Sequence, residues 1–431
     1  MDPHAHVFFS LSDRRWHVVH PALASVGLPL TSGALDQPWA VDVHSRWSAS
    51  GSASPRNWRG RILIDLKPDR IRLGPLLGIL TLRDAQGRLR GNAGHLAALC
   101  QTARRLGGIA FVFTPDDVDR TARTVVGRLP HHGRWIDAPL PLPHVVYNRI
   151  PYRQWEQRPA VQAFLAWLAA RAHLFNPGFF DKWQLFQWLY AVRPMRALLP
   201  DTARATPATL RAFLARYPSV FLKPCGGKAG EGALRVTKTP AGYEAIGQST
   251  KGMRQTAAFS RIDDVETWCW RRIGRTPYLV QQGIELAKVR DQPFDLRVLV
   301  QKDGRGQWQL TGVGARVAPA GGITTHVPQG GRIGNPQVLL SQALSSDAAS
   351  RVRDQLGSVA LAVAHTLERH MPNLAECSMD FAVDRNGKLW FLEANAKPMT
   401  FDEPDIQRRA LNTRVRYAQW AAGFRTGGKR G

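Results

Sequence analysis

Two carboxylates and an amide near the C-terminus are the residues of this 431-residue chain best placed to do chemistry together. Two runs rich in β-branched, aromatic and aliphatic residues, Ser378-Met379-Asp380-Phe381-Ala382-Val383 and Leu389-Trp390-Phe391-Leu392-Glu393-Ala394-Asn395, flank Asn386-Gly387. That dipeptide is the strongest short-range hairpin signal. If Asn386 and Gly387 are the central residues of a type I′ turn, Arg385 faces Lys388 and Asp380 lies directly opposite Glu393. Opposed residues share one face with Cβ atoms roughly 5 Å apart, and Asn395, two residues on, projects from the same face. Carboxylates so placed repel each other unless a cation sits between them. Carboxylate and amide oxygens, with no thiolate or imidazole, suit Mg²⁺ or Mn²⁺. A surface hairpin with solvated acids is the plainer alternative.

A second stretch has the chemistry to meet phosphates. Tyr217 through Pro224 reads as a strand, and Cys225 through Gly232 as a loop whose glycines are Gly226, Gly227, Gly230 and Gly232. Consecutive glycines let backbone N–H groups converge on an anion, and Lys223 can reach the same phosphates as a point charge. The spacing is neither a Walker A loop nor a dinucleotide fingerprint, because Ala233-Leu234-Arg235-Val236 returns as a strand. A strand–loop–strand lid over phosphates remains, with a merely flexible hairpin loop as the alternative. Farther on, Pro277 to Ile284 forms a strand that includes Gln281, Gln282 and Gly283. Phe294 to Gln301 pairs through Asp303-Gly304-Arg305-Gly306 with Trp308 to Val313, so Asp295 and Arg297 share one strand face. Thr324-Thr325-His326 opens a polar, glycine-bearing loop.

The elements that must hold these residues follow a simple order. Residues 1–72 read as a small β-rich module or appendage, interrupted by a Ser/Gly/Pro-rich loop at 48–55. Leu76 to Thr81, a helix over Leu96–Leu106, and Gly108 to Phe113 form a strand–helix–strand unit with parallel pairing, in an α/β domain over 73–175. The strand His144-Val145-Val146-Tyr147 ends in Asn148-Arg149, where open α/β sheets bind ligands. Residues 158–199 read as helical, with Asp181-Lys182 opening a Trp- and Leu-rich segment. Val352, Leu356, Val359, Val363 and Leu367 make a core-facing stripe on a helix over 347–370 capped by Asp347. From 401 to 431 only a basic, frayed tail is expected.

Bulk properties narrow the function classes. The length implies two or three domains, and 44% hydrophobic residues are those of an ordinary globular protein. No basic-then-apolar leader opens the sequence, and no run of about 18 apolar residues predicts a membrane span. Four widely spaced cysteines point to free thiols in a reducing, cytoplasmic setting. The net charge of +25 favours anionic ligands. The basic residues are nevertheless spread along the chain without a recognisable nucleic-acid motif, so no dedicated nucleic-acid binding is expected.

Taken in order, Lys223-Pro224 with its glycines, Asp295-Leu296-Arg297, Asp380 and Glu393-x-Asn395 resemble the ATP-grasp fold. Gln281-Gln282-Gly283-Ile284, Phe294 to Lys302, Gly314-Ala315-Arg316-Val317 and Leu392 to Pro398 narrow the resemblance to the YheC/YheD family, which is associated with endospore coats. It implies two α+β subdomains clasping ATP over 176–400, a lid at about 203–280 and a metal-bearing part at about 281–400, behind an α/β pre-ATP-grasp domain. It implies that Lys182 and Lys223 hold the phosphates beneath the glycine lid, and that the backbone around Gln281, Gln282 and Gly283 meets adenine. Asp295, Thr324, Thr325 and His326 would lie near the nucleotide. Asp380, Glu393 and Asn395 would bind Mg²⁺ or Mn²⁺, and Arg297 and Arg316 would stabilise charge or bind a carboxylate. The implied activity is ATP-dependent ligation of a small carboxylate to an amine or peptide through an acyl phosphate. The alternative is a non-catalytic nucleotide-binding or structural protein of a spore or cell surface. Lys228 and His326 depart from the family pattern, which has a small hydroxyl residue and an asparagine there.

Overall fold

Alternation along one strand, Gln292–Lys302, sets the part of the architecture that matters most. Phe294, Leu296, Val298 and Val300 are buried in a core with Val352, Leu356, Val363 and Leu367 of the helix Ser346–His370. Because side chains alternate between faces, Asp295 and Arg297 point the other way. Ser345 caps the helix by accepting from the Ala348 N–H at 3.4 Å, and Asp347, the expected cap, lies two residues on, in the first turn, where it complements the helix dipole. The strand pairs antiparallel with Trp308–Val317 on one side and Glu376–Val383 on the other, and Leu389–Asn395 follows. The computed structural model describes residues 3–23, 29–44, 57–67, 69–227, 231–248, 254–319, 325 and 330–424. Lys228, Gly230, Thr324, His326 and the 48–55 loop lie outside them.

A second antiparallel sheet carries the strand before the glycine loop, Ser219–Pro224, between Leu234–Thr239 and Tyr278–Gln282. The helices Pro207–Arg216 and Ile262–Ile273 cover it, with Leu210, Leu214, Val220, Val236 and Cys269 in its core. At the end of Tyr278–Gln282 the chain passes so close to Ser219 that a Cβ on Gly283 would lie 2.0 Å from Ser219 Oγ. Gly283→Ala is therefore expected to destabilise the protein by about 1–3 kcal/mol, read as a lower denaturant midpoint at unchanged slope.

The N-terminal half forms two more sheets. Leu76–Leu80, Ile109–Phe113, Val145–Asn148 and His173–Phe175 pair in parallel, with the helix Ala93–Arg105 crossing between the first two. The N-terminal strands are not an appendage. Ala5, Val7, Trp16 and Trp58 share one buried cluster with Phe111, Phe113 and Leu140, and the Trp16 indole donates to the Pro139 carbonyl at 2.7 Å.

Two further readings are corrected. The 158–199 region is two α-helices, Pro159–Ala169 and Lys182–Ala191, separated by the strand His173–Phe175 and the left-handed Asn176, and a 3-10 helix, Arg193–Leu198. The expected tail is a helix, Pro404–Ala421, with Ile406, Val415, Tyr417 and Ala418 buried. It packs on the helix Ala93–Arg105 through Leu99, Ala103 and Val415. Among the described residues no helix is long and apolar enough to cross a membrane, and all four cysteines are free and buried.

Candidate functional site

Asp380 does face Glu393, by a route other than the expected turn. Gly387 alone of the turn pair has positive φ (78°), and Asp384 pairs with Lys388 through its N–H at 3.1 Å, leaving a three-residue loop. Val383 therefore pairs with Leu389, one position out of the expected register. An irregularity between Asp380 and Phe381 then sets Phe381 opposite Phe391 and Asp380 opposite Glu393, with Leu392 as the extra residue. The two offsets cancel. Arg297 lies on the other side of Asp380, and Asp295 lies opposite Arg316, so all five side chains share the face that turns away from the core.

Charge is tightly matched on this face. Arg316 donates to both Asp295 oxygens, from Nε at 3.0 Å and from Nη2 at 2.7 Å, and Nη2 also reaches Asp380 Oδ2 at 2.8 Å. Thr325 also donates to Asp295. Burial raises the Asp295 carboxyl above its ordinary range; Arg316 opposes that rise and the Asp380 charge adds to it. Burial works against the Arg316 charge, but the two carboxylates outweigh it and hold the guanidinium more firmly protonated. Lys182 forms a 2.7 Å ion pair with Glu393, and Asn395 Nδ2 lies 3.4 Å from Glu393 Oε1. The Lys182 backbone N–H donates to the Cys225 carbonyl at 3.1 Å, which fastens this lysine to the start of the glycine loop.

Lys223 faces the same cluster from the other sheet. Its ammonium donates to Gln281 Oε1 at 2.7 Å. Burial pulls its pKa down to about 8, with a smaller push from Lys182, while Glu393 and Asp380 oppose the shift. The glycines beside it have packing reasons of their own. A Cβ on Gly227 would meet Pro224 at 2.4 Å, and one on Gly232, whose φ is +73°, would meet the Tyr278 hydroxyl at 2.8 Å. Gly226 is exposed and faces Arg153. The N–H groups of Gln282 and Gly283 already donate to Asp201 and Ser219, each at 2.9 Å, so a base contact from these residues falls to carbonyl oxygens and side chains.

Arg316, expected to stabilise charge or bind a carboxylate, has its guanidinium buried and ion-paired to both Asp295 and Asp380. Arg297 is half-buried, stacks over Phe401 at 5.0 Å and lies 3.5 Å from the Met399 carbonyl.

Does this donor set suit a divalent ion? Asp380 Oδ1 is buried without a hydrogen-bond partner among the described residues. It lies on the face shared with Glu393 and Asn395, an all-oxygen set that fits a hard cation. No group of three His, Cys, Asp or Glu residues suited to a metal occurs among the described residues. The third donor here is the Asn395 amide oxygen.

Sequence reasoning missed a second layer of charge. Lys397, two residues beyond Asn395, forms a buried ion pair with Glu156, which also accepts from Asn148 Nδ2 at 2.7 Å. Arg149 donates to the Pro398 carbonyl at 3.1 Å. The only local signal was the polar pair Asn148-Arg149 at a strand's carboxyl end.

A family model described as YheC/D like ATP-grasp matches residues 171–422, more than half of the chain and every proposed nucleotide and metal residue. The chain belongs to the YheC/D-like ATP-grasp family. Its fold is accordingly the ATP-grasp fold, preceded by the α/β domain and the N-terminal β strands. Among relatives of this YheC/D-like chain, the endospore coat-associated protein YheD of Bacillus subtilis (strain 168) is 27% identical over 381 residues, covering 84% of this chain and 82% of that protein. The endospore coat-associated protein YheC of the same organism is 23% identical over 301 residues, covering 68% and 81%. Among solved structures, the D-alanine-D-alanine ligase from Coxiella burnetii is similar at TM-score 0.46 and 12% identity, covering 81% of this chain and 94% of that one. The D-cycloserine synthetase DcsG is similar at TM-score 0.43 and 16% identity, covering 81% and 99%.

Proposed function

We propose that this protein is an ATP-dependent ligase that joins a carboxylate to an amine through an acyl phosphate. The observation that carries the reading is the opposed pair Asp380 and Glu393. One has a buried, unsatisfied oxygen, and Lys182 and Lys223 converge on the pair from outside the hairpin. Asp380, Glu393 and Asn395 would hold Mg²⁺ or Mn²⁺, which when bound neutralises phosphate charge. Lys223 and Lys182 bind the phosphates of ATP, Lys182 exchanging its Glu393 partner for a phosphate oxygen. Arg316 holds Asp295 and Asp380 in place through its two ion pairs. Arg297 stabilises the charge that develops as the γ-phosphoryl passes to the substrate carboxylate, and the amine then displaces phosphate to form the amide. The names of the curated relatives support an endospore-coat association as the finer reading, and the free buried thiols support action in a reducing compartment.

The test is ADP release with Mg·ATP against mixtures of amino acids and peptides. Release that requires both a carboxylate and an amine supports the ligase. Nucleotide-dependent stabilisation with no release from any mixture would instead leave a non-catalytic nucleotide-binding protein. A pH profile adds a prediction. ATP binding requires the protonated Lys223, whose pKa in the free protein is about 8. Affinity should therefore fall as pH rises above about 8, by up to about tenfold per unit. Lys223→Arg should remove the break, since a guanidinium stays charged throughout. A flat wild-type profile would take Lys223 off the phosphates.

A further inference from the structure

The ladder that carries the acidic hairpin ends at Asn395. Asn395 pairs with Ser378 on the last rung, and among the described residues the chain makes no further strand after it. Asp380 lies mid-strand with a paired strand on either side, and Glu393 lies two residues inside the end. The Asn395 side chain is held more loosely, by a long 3.4 Å hydrogen bond to Glu393 Oε1. Where its amide oxygen points therefore depends on what grips the chain just past the strand. That grip comes from outside the hairpin. The Ala396 carbonyl accepts from Asn176 Nδ2, which also bonds the Glu376 carbonyl at 2.8 Å, and the Pro398 carbonyl accepts from Arg149 at 3.1 Å. Between these two anchors the Lys397 ammonium pairs with Glu156.

Glu156 belongs to the α/β domain. It ends the short helix Arg153–Glu156, which follows the strand Val145–Asn148, and Asn148 Nδ2 donates at 2.7 Å to the same oxygen that Lys397 meets. Asn148 is itself fixed, because its Oδ1 accepts from the Ile150 N–H at 3.1 Å and its Nδ2 also reaches the Pro177 carbonyl at 3.1 Å. The ammonium lies 4.5 Å over the Phe179 ring. Exposure separates this pair from the other lysine–glutamate pair of the site. The side chains of Lys182 and Glu393 are 20% and 18% exposed, so a ligand can displace one partner; those of Lys397 and Glu156 are 3% and 5% exposed and closed to phosphate and substrate alike. An ion pair so buried adds little net stability over apolar side chains of similar volume, but its charge-assisted bonds are short and directional. What it supplies is position.

We propose that Glu156 and Lys397 are positioning residues through which the α/β domain sets the reach of the Asn395 amide oxygen, and so the affinity of the hairpin for Mg²⁺. The inference rests on Asp380, Glu393 and Asn395 being the metal set. Removing one partner would strand the other charge in the interior, so the test removes both in Glu156→Gln/Lys397→Met. That double variant keeps both side-chain volumes, leaves Asn148 an oxygen to bond, and should melt close to wild type. The full chain is held at saturating ADP, and its melting temperature is followed as free Mg²⁺ is raised from a chelated start. The Mg²⁺ midpoint should rise about tenfold or more in the double variant, the usual effect of removing a group that orients a metal ligand. The shift that ADP gives in chelator should not change, since Lys182 and Lys223 are untouched. Glu156→Asp keeps both charges but draws the carboxylate back by one methylene, so it should raise the midpoint as well. Asp380→Asn should lose the Mg²⁺-dependent shift altogether. An unshifted midpoint in the double variant, or in Glu156→Asp should the double variant not fold, overturns the positioning role and leaves the metal set standing. A matching loss of the chelated ADP shift overturns it too, as general damage to the cleft. No Mg²⁺-dependent shift in wild type, or a full one in Asp380→Asn, overturns the metal reading and this inference with it.

Discussion

Asp380→Asn and Glu393→Gln are each expected to lower ATP-dependent turnover by about 10²- to 10⁴-fold, the several kcal/mol that a correctly held metal contributes to phosphoryl transfer. Both substitutions keep side-chain volume, and Arg316 retains Asp295 as a partner in the first of them. The loss should therefore appear without unfolding. A second readout separates metal binding from general damage. At about 100 times its dissociation constant, Mg·ATP should stabilise the wild type by roughly 2.7 kcal/mol. Either variant should lose the part of that stabilisation that requires Mg²⁺ and keep the part that survives chelation. A Mg²⁺-dependent shift equal to wild type in both variants would remove these carboxylates from the metal site.

Arg414→Met is expected to destabilise the whole molecule by about 3–5 kcal/mol, a melting decrease on the order of 10 °C. Arg414 comes from the C-terminal helix and pairs with Glu376 at the start of the strand that bears Asp380. Tyr147 of the parallel sheet donates to the same carboxylate, as does Gln301 Nε2 at 2.5 Å. Asn176 Nδ2 bonds the Glu376 carbonyl at 2.8 Å. Three parts of the chain therefore meet on one buried acid, and removing its cation leaves that charge uncompensated. The pH dependence gives the sign. Burial would raise the Glu376 pKa, but Arg414 and the Tyr147 bond bring it below its ordinary value of 4.5. Its contribution to wild-type stability is thus present above about pH 4.5 and lost as pH falls through the depressed folded value. In Arg414→Met burial loses its main opponent, so mild acid should restore part of the lost stability by protonating Glu376. The Arg414→Met/Glu376→Gln double variant should recover part of it at neutral pH, where no unpaired charge is left. A double variant no more stable than Arg414→Met would show that packing, rather than charge, holds this junction.

Local pattern made the chemistry legible and the register only by coincidence. Opposition of Asp380 and Glu393 follows from counting outward from Asn386-Gly387, yet the loop is one residue longer than that count assumes and an irregularity at Leu392 makes up the difference. Only the completed ladder, where each strand edge is tied to its neighbour, decides where an extra residue is absorbed. The C-terminal helix was missed for a different reason. Its buried face includes Arg414 and Gln419 beside Ile406 and Val415, so polarity along the sequence conceals the core-facing stripe. Arg414 is buried only because Glu376 meets it there.

From the sequence alone came the order of strands and helices around the hairpin, the shared face of Asp295 and Arg297, the oxygen-only donor set and the family. These depend on periods of two and 3.6 residues and on residue chemistry, all of which are local. Tertiary structure alone decided that Arg316 is locked between two aspartates, that Lys397 is buried against Glu156, and that the N-terminal strands share a core with the α/β domain. Each of those contacts joins residues from separate segments of the chain. Their energies come from mutual burial and charge compensation, which exist only after distant surfaces have packed together.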